Sequence, residues 1–382
     1  MENKLYLSAP HMSGNEQKYI QEAFDLNWIA PLGNNVNEFE KIIADYNSVA
    51  GASVVTSGTS AIHLALRLLG VEENDSIICS SLTFVASANP ILYQGAKPIF
   101  IDSEPDTWNM CPEALRRALK RLNETNELPK AAIIVNLYGQ PAKMEELIDI
   151  CTDYEVSVIE DAAESLGSEY KGQKSGTFGD FGIFSFNGNK IITTSGGGAL
   201  ISNNKEALDK SRFLATQARD NALHYQHSEL GYNYRMSNIV AGIGRAQLEI
   251  LDLRVQQRRN VYKRYYEELS NLPGFYFMPE LEGTKSNRWL TALTVDPNEA
   301  GVTSLDIIEA LGEENIEARP VWKPLHLQPL FEGVPYYPHQ ENYSVSDKLF
   351  KYGLCLPSGS NMEAEDQERV ISIIKELVKE RN

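Results

Sequence analysis

Three short segments, each following a β-rich run, bring together residue types that could do chemistry. In Val54–His63 (VVTSGTSAIH) an apolar run ends in small and hydroxylated residues that open a helical pattern closed by Gly70. The first N–H groups of a helix have no partner inside it, so those of Gly58, Thr59 and Ser60, with two hydroxyls, could face an anion. The same residue types also serve as an ordinary N-cap. The segment matches neither G-x-G-x-x-G nor G-x-x-x-x-G-K-[ST], so the nucleotide fingerprints are not met. In Val158–Glu164 (VIEDAAE) two acids close an apolar strand pattern. A carboxylate there, Asp161, can keep a ring nitrogen protonated; acids at a helix start also complement its dipole. In Phe181–Gly198 a single lysine, Lys190, lies between an aromatic run and a glycine-rich turn. A lysine held in a partly desolvated pocket can attack a carbonyl, although most lysines are simply solvated.

Taken together and in this order, the three segments meet the needs of pyridoxal phosphate: an anion site, a carboxylate for the pyridine nitrogen, and an amine for the aldehyde. Other candidates are weaker. Asp180-Phe181-Gly182 resembles a kinase triplet, but no H-R-D loop or glycine-rich ATP loop accompanies it. His224 and His227 are three apart without an acid-rich partner segment, and no metal site is expected. His63, among apolar neighbours, is expected to be packed rather than catalytic. Cys79 is expected to be a buried, inert thiol. Arg254, Arg258 and Arg259 read as the solvated face of a helix.

The elements that must position these residues alternate. Between Val54 and Leu200, β-rich runs at Ser76–Cys79, Pro98–Asp102, Ala131–Leu137, Val156–Glu160, Gly182–Phe186 and Gly198–Ser202 flank helical stretches at Ser60–Leu69, Pro112–Leu122 and Lys143–Tyr154. This predicts an α/β domain, a mostly parallel sheet covered on both faces, with functional groups in the turns beyond the strands' carboxyl ends. From Ser237 an apolar stripe at Ile239, Ile243, Ala246, Ile250 and Leu253 predicts one long linking helix toward Leu272. Strand signals follow at Gly274–Met278, Trp289–Val295 and Ile316–Pro320. Five prolines from Pro320 to Pro338 predict an irregular loop, and a last helix starts from Asn361 as its N-cap. The boundary falls near residue 250, giving domains 1–250 and 251–382.

Composition narrows the function. The 382 residues hold 35 basic and 52 acidic side chains, a net charge of −17. That balance argues against nucleic acid and anionic membrane as partners, but not against one small phosphorylated ligand held by backbone N–H groups. The four cysteines, Cys79, Cys111, Cys151 and Cys355, are too scattered for a disulfide framework. With no basic n-region before an apolar stretch and no membrane-spanning run, a cytoplasmic protein is expected.

The wording of five segments carries a resemblance. GTSAIHLAL (Gly58–Leu66), EDAAESLG (Glu160–Gly167), SFNGNKIITTSGGGAL (Ser185–Leu200), GYNYRMSNI (Gly231–Ile239) and ARPVWKPLHLQPLF (Ala318–Phe331) resemble the DegT/DnrJ/EryC1/StrS family of pyridoxal phosphate-dependent nucleotide-sugar aminotransferases. The resemblance implies the aspartate-aminotransferase fold (fold type I), a large domain with a seven-stranded sheet and a smaller α+β domain. It implies that Lys190 holds the cofactor and shuttles protons, and that Asp161 pairs with the pyridine nitrogen. Glu164, where many members carry Gln, would lie near the ring oxygen. Ser185, with the Gly58, Thr59 and Ser60 turn, would hold the phosphate, and Phe84 would stack on the ring. Asn233 would reach the phosphate of a neighbouring subunit in an obligate homodimer. Asn27, Trp28, Ile29 and Ala30, within NWIAPLG, would line the nucleotide-sugar site, and His326 and Gln328 the loop over the sugar. The wording looks closest to enzymes that place an amine at C4 of UDP-4-keto-6-deoxy-N-acetylglucosamine, with L-glutamate as donor. A C3 aminotransferase, a dTDP- or GDP-keto-sugar enzyme, and a non-catalytic regulator that keeps the fold are the alternatives.

Overall fold

The computed structural model describes residues 4–381; residues 1–3 and 382, which the two expected domain spans include, lie outside the described residues. Apolar runs of about five residues, buried on both faces, form a central sheet. Its order is Gly51–Val55, Gly198–Ser202, Phe181–Ser185, Ser157–Asp161, Ala131–Val135, Ser76–Ser80, Lys97–Ile101 and Tyr336–Tyr337. Only Gly198–Ser202 runs against both neighbours; every other adjacent pair is parallel. Strand alternation sorts the core. Ile77, Cys79, Ile133 and Ile159 face the layer with helix Gly58–Leu68, whereas Ile78, Ala132, Ile134 and Val158 face helices Pro112–Glu124 and Met144–Asp153.

Four expectations change. The sheet has an eighth strand, because part of the five-proline stretch returns to its edge: Tyr336 and Tyr337 pair in parallel with Phe100 and Ile101. A proline-flanked edge strand is permitted where one rim of the ladder needs no donor. The expected linking helix is two helices, Asn238–Leu248 and Leu251–Leu269, since Ile250 leaves helical geometry at φ −115° and ψ 13°. The last helix begins at Ala364, three residues beyond the expected cap. Finally, Arg254 and Arg258 are not solvated: they are 4% and 1% exposed. The N-terminal segment and the C-terminal region cover that helix face and supply carbonyl acceptors, which helical spacing alone does not reveal. Arg259 instead pairs with Glu280 at 2.6 Å.

The C-terminal region forms an antiparallel sheet of Phe275–Phe277, Thr291–Val295, Gly353–Leu356 and Arg319–Pro320. Helices Ser304–Glu313 and Ala364–Arg381 share a separate core with it around Leu293, Ile307, Leu354 and Ile374. Among the described residues no helix is long and apolar enough to cross a membrane.

Candidate active site

The parallel strands end on one edge of the sheet, and a cavity of about 420 Å³ opens there. Gly58, Thr59, Phe84, Asp161, Glu164, Ser185 and Lys190 all line it. Lys190 is the one cation among the described residues that line it.

Asp161 is the last residue of its strand and is 5% exposed. Ser87 Oγ donates to its Oδ2 at 2.7 Å, and the Ala163 N–H to its Oδ1 at 3.2 Å. Burial pushes this carboxyl above its ordinary range, while those two bonds and the Lys190 charge pull it down. Glu160 precedes it by one residue and therefore points to the other face of the sheet. There it accepts from Asn136 Nδ2 at 2.8 Å and the Phe178 N–H at 2.9 Å. Of the two strand-end acids, only Asp161 lines the cavity.

Glu164 lies in the turn that follows. Its Oε2 accepts the Tyr138 N–H at 2.7 Å, and its Oε1 is 3.5 Å from Lys190 Nζ. Desolvation pushes this carboxyl up to about 7; Lys190 and the Tyr138 N–H oppose the rise, and Asp161 adds to it. Glu164 therefore changes protonation near neutral pH. The Lys190 side chain is 12% exposed, and its Nζ lies 4.0 Å from the centre of the Trp289 ring, within cation–π range.

At the other end, Ser57 caps helix Gly58–Leu68, its Oγ accepting the Ser60 N–H at 3.0 Å. Ser60, expected to face an anion, instead closes that cap. Its Oγ lies 2.8 Å from Ser57 Oγ and 3.2 Å from Thr56 Oγ1, and it does not line the cavity. The Gly58 and Thr59 N–H groups have no acceptor within the helix, and Ser185, Gly196 and Gly197 complete this end. A Cβ on Gly58 would come within 3.2 Å of Ser185 Cβ, so glycine lets the helix start sit against the strand end.

These features fit pyridoxal phosphate. Neutral donors at a helix start suit its phosphate, a buried carboxylate suits its pyridinium, and the cavity's single amine suits its aldehyde. Phe84, 56% exposed, offers a ring at the cavity wall beside Trp322, their centres 5.7 Å apart.

The remaining expected residues lie off this cavity. Asn27, Trp28, Ile29 and Ala30 are exposed, and their irregular path beyond the Asn27 turn is held by Asn238, which donates to the Trp28 and Ala30 carbonyls at 2.8 and 2.9 Å. Asn233 is exposed, in a bridge with Thr216. His326 stacks on Tyr336 at 3.6 Å between Ser81 Oγ (2.7 Å) and Asp347 (3.0 Å), and Gln328 donates to the Lys323 carbonyl. His63 is packed as expected, with Nδ1 3.0 Å from the Tyr234 hydroxyl, and burial lowers it to about 4. Cys79 is buried.

Sequence reasoning passed over Ser87, Thr83, Asn187, Asn189, Trp289 and Trp322, all on the cavity wall. Ser87 had a signal, the hydroxyl-rich turn SSLTFVAS after an apolar strand. Trp289, nearly a hundred residues beyond Lys190, had none.

A covalent-capable lysine, a buried acid and a helix-start anion site on one sheet edge define a pyridoxal phosphate-dependent aminotransferase of fold type I. The comparisons agree. The model of the DegT/DnrJ/EryC1/StrS aminotransferase family matches residues 10–375, and the chain belongs to that family. It is 62% identical over 377 residues to the pyridoxal phosphate-dependent aminotransferase EpsN of Bacillus subtilis (strain 168), covering 99% of this chain and 96% of the relative. It is 36% identical to the GDP-perosamine synthase of Escherichia coli O157:H7, covering 96% and 97%. It is 32% identical to the UDP-4-amino-4,6-dideoxy-N-acetyl-beta-L-altrosamine transaminase of Campylobacter jejuni (strain 81-176), covering 91% and 92%. A DegT DnrJ EryC1 StrS aminotransferase structure from Brucella abortus superimposes with a TM-score of 0.88 at 27% identity, covering 95% of each chain.

Proposed function

We propose that this aminotransferase moves an amino group from L-glutamate to C4 of a nucleotide-linked 4-keto-6-deoxy sugar. The acceptor we assign is UDP-4-keto-6-deoxy-N-acetylglucosamine, and the product an amino sugar for a bacterial exopolysaccharide or glycan. The observation that carries the reading is the convergence of Lys190, Asp161, Glu164 and the Gly58–Thr59–Ser185 end on one cavity. The cofactor supplies an electron-accepting ring and an aldehyde that can carry the amino group between donor and acceptor.

The chain's own residues do the rest. Lys190 would hold the cofactor's aldehyde with its amine, and the same amine, when free, would move the donor's α-proton. On the sugar half it returns a proton to C4. Asp161 would pair as a carboxylate with the protonated pyridine nitrogen, with Ser87 fixing its orientation. Glu164 lies 3.5 Å from that amine and would face the ring oxygen, and Phe84 would cover one ring face. Asn233 of a second copy would reach the phosphate; its exposure on its own chain supports this. The exposed Asn27–Ala30 segment, with His326 and Gln328, frames the nucleotide sugar across that dimer contact.

The GDP-perosamine synthases, at similar identity to the UDP-sugar transaminase, favour a second reading in which the nucleotide is GDP. The experiment offers glutamate with UDP-, GDP- and dTDP-4-keto-6-deoxy sugars and follows amine formation by mass spectrometry. Turnover of the UDP sugar alone supports the assignment. Turnover confined to the GDP sugar overturns it and leaves the cofactor chemistry intact.

A further inference from the structure

Among the described residues Arg258 is the most deeply buried cation, 1% exposed, and no acid pairs with it. Burying a cation is costly unless its N–H groups are satisfied. Burial, with Arg254 nearby, lowers this guanidinium to about 9. Its Nη1 donates to the Trp289 carbonyl at 2.6 Å and the Ser358 carbonyl at 3.1 Å, and its Nη2 donates to Ser8 Oγ at 2.9 Å. Ser8 Oγ passes its own hydrogen to the Asn189 carbonyl at 2.6 Å. The same carbonyl accepts Trp289 Nε1–H at 2.7 Å. The bonds close a ring: Arg258 to Ser8, Ser8 to Asn189, Trp289 to Asn189, and Arg258 back to Trp289.

The ring joins four distant parts of the chain. Ser8 belongs to an N-terminal strap whose main chain pairs at Leu5 with Ile316 and whose Leu7 carbonyl accepts the Ser358 N–H at 2.8 Å. Arg258 comes from helix Leu251–Leu269, Trp289 from the residues before strand Thr291–Val295, and Asn189 from the loop that carries Lys190. Both products of the ring touch the amine's surroundings. The Asn189 carbonyl is one peptide from Lys190, and the Trp289 indole is fixed at both its N–H and its main chain, with its face 4.0 Å from Lys190 Nζ.

We propose that Ser8 and Arg258 are positioning residues for Lys190, holding its loop and the indole beneath its amine through the shared Asn189 carbonyl. Neither side chain lines the cavity; they act through Asn189 and Trp289. The inference rests on Lys190 being the linking amine.

The test uses full-length protein stripped of cofactor and measures how fast added pyridoxal phosphate becomes covalently linked, followed by absorbance, without any substrate. Ser8→Ala removes two edges of the ring, its bond to the Asn189 carbonyl and its acceptance from Arg258 Nη2, while Arg258 keeps the Trp289 and Ser358 carbonyls. Trp289→Phe removes another edge and keeps a ring at the site. Each is expected to slow linkage about fivefold, the scale of the one hydrogen bond it takes from the Asn189 carbonyl, while the Ser8→Ala thermal midpoint stays within about 3 °C of the parent. The double variant is expected to be no slower than the worse single variant, because both act on one carbonyl. Ser8→Ala linking at the parent rate, or losses that multiply in the double variant, overturns the proposal. Peptide mapping of the reduced parent protein reports separately whether Lys190 is the linked residue, so a failure of that reading is distinguished from a failure of the ring.

Discussion

The carboxyl edge of the sheet and the exposed periphery present opposite kinds of organisation. At the edge, groups from six places in the chain converge on one cavity, and bonds within the same chain anchor them: Ser87 on Asp161, Tyr138 on Glu164, and the Ser57 cap on the helix start. At the periphery, Asn27–Ala30 and Asn233 are exposed and none lines that cavity. Trp28 and Ile29 stay 46% and 48% exposed. The difference teaches that the residues proposed to make and break bonds are held by their own chain, whereas those proposed for the nucleotide sugar stand open, as the proposed contact with a second copy requires.

Four variants break or sharpen this contrast. Lys190→Ala has the largest expected effect, a loss of about 10³-fold or more in amine transfer, because the linking amine and the proton carrier go together. A rate within tenfold of the parent would place the chemistry elsewhere. Next, Asp161→Asn should lower kcat by about 10²- to 10³-fold, the scale of breaking a buried, hydrogen-bonded charge contact. Since burial already disfavours this carboxylate, the cofactor-free variant should melt no lower than the parent. A melting loss equal in scale to the activity loss would make Asp161 a structural residue.

The periphery is probed by mixing. Asn233→Ala should be impaired about tenfold through weaker cofactor retention. Refolded together with Lys190→Ala, it should recover about a quarter of parental activity, because half the dimers are mixed and each carries one intact site of two. No recovery would mean that each chain builds its site alone.

The smallest effect concerns Glu164. Its folded value of about 7 lies above the ordinary 4.5, so the folded protein holds this proton more tightly than the unfolded chain. The stability so gained is present below about 4.5 and is lost as pH rises through 7. Cofactor-free parent should therefore lose stability relative to Glu164→Gln across that window, by on the order of a few kcal/mol. Parallel stability curves would show that the carboxyl titrates normally, and urea melts of both proteins at several pH values read this out.

The same contrast explains what the sequence made legible. Asp161 stands out because an apolar run of strand length ends on it, and strand Gly198–Ser202 matches its expected span. These signals are local: burial on both faces demands continuous apolar residues, and a turn demands glycine. What was not legible depends on distant partners. Ser60 looked free until the Ser57 cap claimed its N–H. Arg254 and Arg258 looked solvated because their acceptors, at His11, Met12, Trp289 and Ser358, come from remote segments. The eighth strand escaped because two tyrosines among prolines carry no period.

The account stands on one covalent link. Holoenzyme freed of loose cofactor by gel filtration, reduced with borohydride and digested, should yield a single peptide with the added mass of the reduced cofactor, and fragmentation should place that mass on Lys190. A label on any other lysine, or an unlabelled protein that still transfers the amino group, would contradict it.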